Sequence, residues 1–439
     1  MALVSLRPLR SRNFALIWSA ALVSNLGSWM QTVALGVLVY QRTSAPGWTA
    51  LVAAAGFVPI GLLAPVGGAL ADRLDRRKWL IVTTCAETLF AVVLAVLAGL
   101  HHDPPWALVL LSFLGGAAGA IGFPAYQAMT PDLVPKEDLL GAVSLSSAQF
   151  NLGRVIGPAL AGLVLLTQNY AIVFGINALS FGAVVVALLL VRLPRPVPQT
   201  GHLSMAARIA EGARAARAEP GCRSAILCIA VVALLASPFI ALVPAMAHVV
   251  RPEGWSLGLT TAVLVTAQGI GAVVGALSLA GLAQRFGRLT VLRTAIFTVP
   301  VLLCLYAIAP TLAAAAPAFL AVGAGYIVVL AGLNTVVQLR APAASRGRIL
   351  SIYMMALGLI YPLGAVLQGT LADSHGVRAV TVAGAVALFA LASLAAVVRP
   401  TVFTNLGDPV VDDPPVAVGP PGPAPRAPQT DPASAAGSA

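Results

Sequence analysis

Long apolar stretches separated by short polar ones divide the first 398 residues into twelve runs. They are Phe14–Tyr40, Leu51–Ala71, Trp79–Leu100, Trp106–Met129, Leu139–Leu166, Tyr170–Val191, Ser224–Val249, Leu257–Ala283, Leu289–Ile308, Ala313–Leu339, Ile349–Ala372 and Val377–Val398. A helix needs about 20 apolar residues to cross a bilayer, whereas a barrel strand needs only about 10. The pattern therefore predicts an all-α membrane protein with twelve transmembrane helices.

The spacing of the runs predicts the organisation. Residues 1–191 hold six runs and form an N-terminal six-helix bundle. Residues 192–223 are the longest internal polar stretch, a basic linker with a Pro-rich start and an amphipathic helix over Leu203–Glu219. Residues 224–398 form a second six-helix bundle. Residues 399–439, rich in Pro, Ala, Gly and Asp, are too poor in large apolar side chains to build a core and read as a disordered tail. The two bundles repeat one another. Asp72-Arg73 after the second run matches Gln284-Arg285 after the eighth, and Gln127-x-x-x-Pro131 matches Gln338-x-x-x-Pro342. Two halves joined by a linker, with a site between them, is a transporter architecture.

Composition changes the picture by exclusion. Only 9% of residues are charged and 59% are hydrophobic, against about 25% charged in a soluble protein. The net charge of +11 would suggest nucleic acid in a soluble chain. Here its distribution gives another cause. With the N-terminus inside, 22 basic residues fall in cytoplasmic segments, three (Arg42, Arg251, Arg378) outside, and Arg154 within a span. This is the positive-inside pattern. It places both termini in the cytoplasm and the excess charge against anionic lipid, with no nucleic acid as partner. Arg-for-Lys usage and abundant Ala fit a GC-rich bacterial chain, hence a bacterial plasma membrane. Cys85, Cys222, Cys228 and Cys304 form no metal or redox pattern, and no cofactor is expected. Without His-Glu-x-x-His, Gly-x-Ser-x-Gly or a phosphate loop, the chain does not read as an enzyme.

The most specific local pattern is GGALADRLDRR, Gly67 to Arg77. Gly68 is expected to let helices approach closely, and Asp72 ends the second helix beside Arg73, Arg76 and Arg77. A helix N-terminus favours a carboxylate. If the halves meet, the start of the eleventh helix near Ile349–Ser351 would lie by Asp72 and latch the cytoplasmic side shut. The alternative is that the arginines only set topology. In the fifth run, NLGRVIGPALAG places Gly153 and Gly157, and then Pro158 and Gly162, four residues apart, a close-packing face.

Both patterns resemble motifs of the major facilitator superfamily. Gly68, Asp72, Arg73, Arg76 and Arg77 match its loop between helices 2 and 3, with Asp75 in place of the usual Gly. The second-half copy keeps Arg285, Gly287 and Arg288 but has Gln284 for the acid. Gly153, Gly157, Pro158 and Gly162 resemble its antiporter motif. The stretch Phe123–Gly162, with RNFALIW and RGRILSIYMMALGLIYPLG, is similar to the drug and siderophore exporter branch that includes enterobactin and macrolide exporters. The resemblance implies a monomeric secondary transporter that exports an amphipathic small molecule in exchange for protons by alternating access. An importer or uniporter of the same fold is the alternative.

Ionisable residues inside a membrane are functional candidates by default. Glu87 is the one carboxylate well inside a run and is the candidate proton carrier; a structural hydrogen bond or contact with vestibule water is the other reading. Arg154 either binds an anionic group, pairs with Glu87, or is fixed by neighbouring carbonyls. Asn25, Gln31, Asn151, Asn177, Gln268, Asn334 and Tyr361 are the polar candidates for lining a substrate cavity, although a polar residue in a span, taken singly, more often packs or makes an interhelical hydrogen bond. Gln368, Phe57, Phe123, Tyr126 and Tyr353 could join them.

Overall fold

The computed structural model describes residues 6–191, 205–343 and 345–407, with backbone only at Asp72, Met205, Ala206 and Arg208. Among the described residues every regular element is a helix. The N-terminal group is α1 (Arg12–Thr43), α2 (Pro46–Arg73), α3 (Arg76–Gly99), α4 (Pro105–Met129), α5 (Leu139–Val164) and α6 (Tyr170–Leu190). Then come α7 (Met205–Ala218) and α8 (Pro220–Leu235), followed by α9 (Val243–Val250), α10 (Leu257–Phe286), α11 (Arg288–Ile308), α12 (Leu312–Arg340), α13 (Arg346–His375), α14 (Val377–Val398) and a single turn, α15 (Thr401–Thr404). Among the described residues, eleven helices are long and apolar enough to cross a membrane. Leu179, Leu277 and Val397 show the outward faces to be apolar and exposed, as hydrocarbon solvent requires.

Helix ends follow local chemistry. Pro46, Pro105 and Pro220 each stand at a first helical position, where the missing N–H costs nothing. Gly287 and Gly376, at φ +82° and +81°, end α10 and α13. Glycine takes that conformation without a Cβ penalty, so one residue turns the chain into the next span. The equivalent turn in the first half works differently. Asp75 is extended, at φ −62°, and its carboxylate accepts the Lys78 N–H at 3.0 Å. The acid that replaces glycine in the motif thus caps α3 instead of making a left-handed turn.

The seventh apolar run, expected as one helix over Ser224–Val249, is broken. α8 stops at Leu235, a 3-10 turn spans Ser237–Ile240, and α9 follows. Pro238 has no N–H to continue α8 and disfavours helical geometry in the residue before it. The freed carbonyls find side chains: Ser237 Oγ donates to the Val232 carbonyl at 3.2 Å, and Gln368 Nε2 to those of Leu234 and Leu235 at 3.0 Å each. The tail also departs from expectation at its start. α15 buries Phe403, which lies 5.8 Å from the Phe297 ring. Residues 408–439 lie outside the described residues.

α1–α6 pack chiefly on one another, as do α8–α14. The two groups meet along α2 against α13 and α5 against α10. The first seam runs from Gly47 beside Asp373, through Gly369 beside Ala50 and Phe57 edge-on to Tyr361 at 5.0 Å, to Gly61 against Gly358. There a Cβ on Gly358 would lie 3.0 Å from the Gly61 Cα, so two glycines let the backbones cross. The second seam runs from Leu165 beside Gly258, through Gly162 beside Ala262, to Arg154 beside Gly269. Both start at the end of the bundle away from the signature arginines and reach mid-depth. Toward the Arg-rich end, a Cβ on Gly68 would meet nothing within 4 Å, and Phe150 is 53% exposed. Among the described glycines, the contacts between α2 and α13 end at Gly61–Gly358, and we read this as a cleft between the groups on the Arg-rich side.

Candidate functional site

The signature loop acts within the first group of helices. Arg76 donates to the Ala128 carbonyl and pairs with Asp132, both at 3.1 Å. Arg77 donates to the carbonyls of Leu188 and Leu189 at 2.5 and 2.7 Å. These satisfy carbonyls left over at the ends of α4 and α6. Arg73 is exposed. Gly68 is not the residue of close approach: that is Gly67, where a Cβ would lie 2.5 Å from the Ile121 carbonyl oxygen of α4. Gly68 instead continues the face of α2 that meets α13 through Gly61, seven residues on and so nearly in line at 3.6 residues per turn. The Asp72 side chain lies outside the described residues. The start of α13, the expected partner of Asp72, is engaged by α7: Glu211 pairs with Arg348, and Gly212 packs on the Arg348 backbone. In the second copy, Arg285 lies over the Phe286 ring and Arg288 is exposed.

The α5 glycines face two partners. A Cβ on Gly153 would lie 2.7 Å from Asn25 Nδ2, and one on Gly157 would lie 2.5 Å from the Trp29 Cβ. Both seat α5 against α1. A Cβ on Gly162 would lie 2.6 Å from that of Ala262, across the seam. Pro158 is buried between them.

The two charged candidates are not paired. Glu87 lies on the buried face of α3 with Leu80, Thr84, Ala91 and Leu94. A Cβ on Gly119 of α4 would come within 2.9 Å of its Oε1, so the carboxylate occupies space this glycine leaves. Arg154 stands on the seam. Its guanidinium carbon is 6.0 Å from the Trp29 ring centroid, and its Nε is buried without a hydrogen-bond partner.

The cavity candidates divide. Asn25 donates to the Gln149 carbonyl at 3.1 Å, and Asn177 donates to Gln31 at 2.9 Å and accepts from Ser180. These three tie α1, α5 and α6 together inside the first group. Asn151 and Asn334 bond within their own helices, to Ser147 and Gln338. Tyr353 donates to the Leu330 carbonyl at 3.1 Å, and Phe123 stacks on Tyr126. Tyr361 reaches the seam, edge-on to Phe57, while Gln268 stands beside the Gly269 crossing with its backbone on Gly323 of α12; both are buried. Two groups there carried no readable sequence signal. Trp29 and Tyr326 sit in apolar runs like any core aromatic, yet Trp29 flanks Arg154, and Tyr326 joins Ser237 at 2.7 Å at the break of the seventh run.

Two helical groups seamed from one end to mid-depth, with a half-buried arginine and aromatics where the seam ends, fit a secondary transporter of the major facilitator fold. The chain belongs to the transmembrane secretion effector family of that superfamily, whose profile matches residues 3–408. It is a multi-pass membrane transporter and not an enzyme. Over 372 residues it is 28% identical to the multidrug efflux pump Tap of Mycolicibacterium fortuitum, covering 83% of this chain and 90% of that one. Macrolide efflux protein A of Streptococcus pyogenes is 26% identical over 182 residues, 42% of this chain and 45% of that one. Among solved structures, the nucleoside transporter NupG superposes with a TM-score of 0.71 at 14% identity, covering 90% of this chain and 99% of that one. A bacterial homologue of the lysosomal transporter Spinster, inward-facing and unoccupied, gives 0.69 at 15% identity, over 90% and 97% of the two chains.

Proposed function

We propose that this protein exports an amphipathic small molecule across the bacterial plasma membrane in exchange for protons, as a monomer working by alternating access. The observation that carries the reading is the one-sided seam. α2 and α13 are joined from Gly47–Asp373 to Gly61–Gly358 and part beyond. The positive-inside distribution supports a cytoplasmic position for the open, Arg-rich side, and in this reading the arrangement is the one that loads cytoplasmic substrate. The halves, residues 1–191 and 224–398, then rock about the glycine crossing. Gly68 and Asp72 close on the start of α13 while the Gly47–Asp373 end parts. The similarity to Tap and to macrolide efflux protein A supports export, and the α5 glycine motif supports exchange. Glu87 is the proton carrier in this reading. It lies between α3 and α4, where a helix shift changes the water it meets.

Inside-out vesicles test the proposal. Substrate should accumulate in them when the interior is acid, and collapsing the pH gradient should stop it. Glu87→Gln should bind substrate but not concentrate it. Equilibration without accumulation would identify a uniporter, and accumulation only in right-side-out vesicles an importer. Undiminished pH-driven accumulation by Glu87→Gln would remove Glu87 from the coupling.

A further inference from the structure

We propose that Arg154 and Gln268, one from each half, form a subsite for the carboxylate of an aromatic organic acid. The proposal names a substrate class for the export site above and takes only the direction of transport from that reading.

α5 crosses α10 at Arg154, where a Cβ on Gly269 would lie 3.0 Å from the Arg154 carbonyl oxygen; Gln268 is the adjacent residue on α10, its backbone packed on Gly323 of α12. Each holds a buried nitrogen donor without a hydrogen-bond partner, Nε in Arg154 and Nε2 in Gln268. A buried donor left unpaired is costly, and an uncompensated buried charge more so. Native proteins satisfy such groups. Two unmatched donors on opposite sides of a moving seam point to an acceptor that comes and goes.

The acceptor has to be anionic. Among the described residues, the ion pairs leave Arg154 without a carboxylate. Glu87, the mid-depth acid, is turned toward Gly119 within the first group. Tyr326 shares its hydroxyl with Ser237 at 2.7 Å and offers no counter-ion. Among these residues the seam thus presents one positive charge and no negative one at mid-depth. A cationic substrate would meet repulsion there in a medium that screens little.

The walls favour an aromatic body. Trp29 lies beside the guanidinium, and Phe150 stands edge-on to Trp29 at 6.1 Å. Phe150 is one turn nearer the open side and 53% exposed, so a ring can slide along it while its carboxylate reaches Arg154. The planar guanidinium suits a carboxylate bidentately, and Gln268 supplies a donor from the other half. Binding then depends on both halves being in register.

The test uses three probes of one shape on the full-length protein in detergent: 2-naphthoate, 2-naphthamide and 2-naphthylmethylammonium, followed by tryptophan quenching and calorimetry. Wild type should bind the carboxylate about tenfold more tightly than the ammonium, roughly one hydrogen-bonded charge contact. Arg154→Gln should erase that preference while leaving the neutral amide within about twofold, which also reports an intact fold. Arg154→Lys should keep the sign of the preference, and Gln268→Leu should weaken naphthoate alone. Wild type that binds the ammonium as well as the carboxylate, or binds none of the three at millimolar concentration, overturns the subsite. So does an anion preference that survives Arg154→Gln. Binding as expected in a protein that fails the vesicle test would leave the subsite standing and the export reading refuted.

Discussion

The carboxylate of Asp373, at the last turn of α13, accepts a hydrogen bond at 2.8 Å from the backbone N–H of Gly47, in the first turn of α2. Gly47 makes the contact possible, since a Cβ there would clash with Asp373. An acid at a helix N-terminus is stabilised by the exposed N–H groups and the helix dipole, by about 0.3–1 kcal/mol and up to ~2 kcal/mol when partly buried. The helices run antiparallel, so α2 in turn ends in Asp72 on the side where α13 begins. Each helix carries an acid suited to the other's N-terminus, and the structure shows the Asp373 contact made.

Asp373→Asn should therefore loosen the end that is closed. The amide keeps an acceptor but loses the charge, which predicts a shift of about two- to fivefold toward the state open on the far side. Spin labels at Trp48→Cys and Ser374→Cys, in a cysteine-free background, should show more of the longer distance in the Asp373→Asn protein. An unchanged distribution would make the contact a bystander.

Asp72→Asn should act in the opposite sense. Losing an acid at the Arg-rich end should weaken the state closed at that end. The variant should insert normally, turn over slowly, and show less of the longer Trp48–Ser374 distance than wild type. Normal transport by a normally expressed Asp72→Asn protein contradicts the latch.

Gly157→Leu should abolish transport through packing. With the Trp29 Cβ at 2.5 Å and the Leu26 carbonyl oxygen at 3.0 Å from a Cβ there, α5 cannot keep its place against α1. Overpacking costs roughly 1–3 kcal/mol, so Gly157→Ala should already melt lower in detergent. Gly68→Ala, by contrast, meets open space in this state and should leave that melting point unchanged. Equal losses from both alanines would contradict the packing assigned to α5.

At the Arg-rich end, Glu219 accepts from the Arg340 guanidinium at 2.9 Å and from the Cys222 N–H, and Arg340 also donates to the Gly407 carbonyl at 2.9 Å. Burial would raise the Glu219 carboxyl, but the hydrogen bonds from Cys222 and Arg340 outweigh it and hold it below the usual carboxylate range. With the folded value depressed, the stabilisation is complete above the ordinary pKa of about 4.3 and fades as pH falls through the lower folded value. Wild type should thus melt above Glu219→Gln at pH 7, with the gap closing in acid below about pH 4. A gap that persists unchanged there would assign the effect to packing.

The sequence carries the twelve-run pattern because a bilayer demands some 20 apolar residues per crossing, whatever the packing. The α5 motif was legible for a similar reason: small residues four apart imply a close-packed face. The break of the seventh run was hidden although Pro238 announced it, because the flanking residues stay apolar through the turn. Gly67 and Gly68 are indistinguishable in sequence, and only the rotation of α2 decides which one meets α4. Among the polar residues, Asn25, Gln31 and Asn177 bond within one half and Gln268 stands next to the Gly269 crossing. Hydropathy cannot separate these cases, since an amide in an apolar run satisfies its neighbours or its ligand with the same atoms.

The central claim is that the two ends of the α2–α13 seam open in turn about the Gly61–Gly358 crossing. Two label pairs test it most directly: Trp48→Cys with Ser374→Cys at the far end, and Leu74→Cys with Gly347→Cys at the Arg-rich end, each in lipid nanodiscs across a series of pH values. The account predicts reciprocal populations, the far-end pair lengthening in the same proportion as the Arg-rich pair shortens. Distances that lengthen together, or an Arg-rich pair that never shortens, would contradict it.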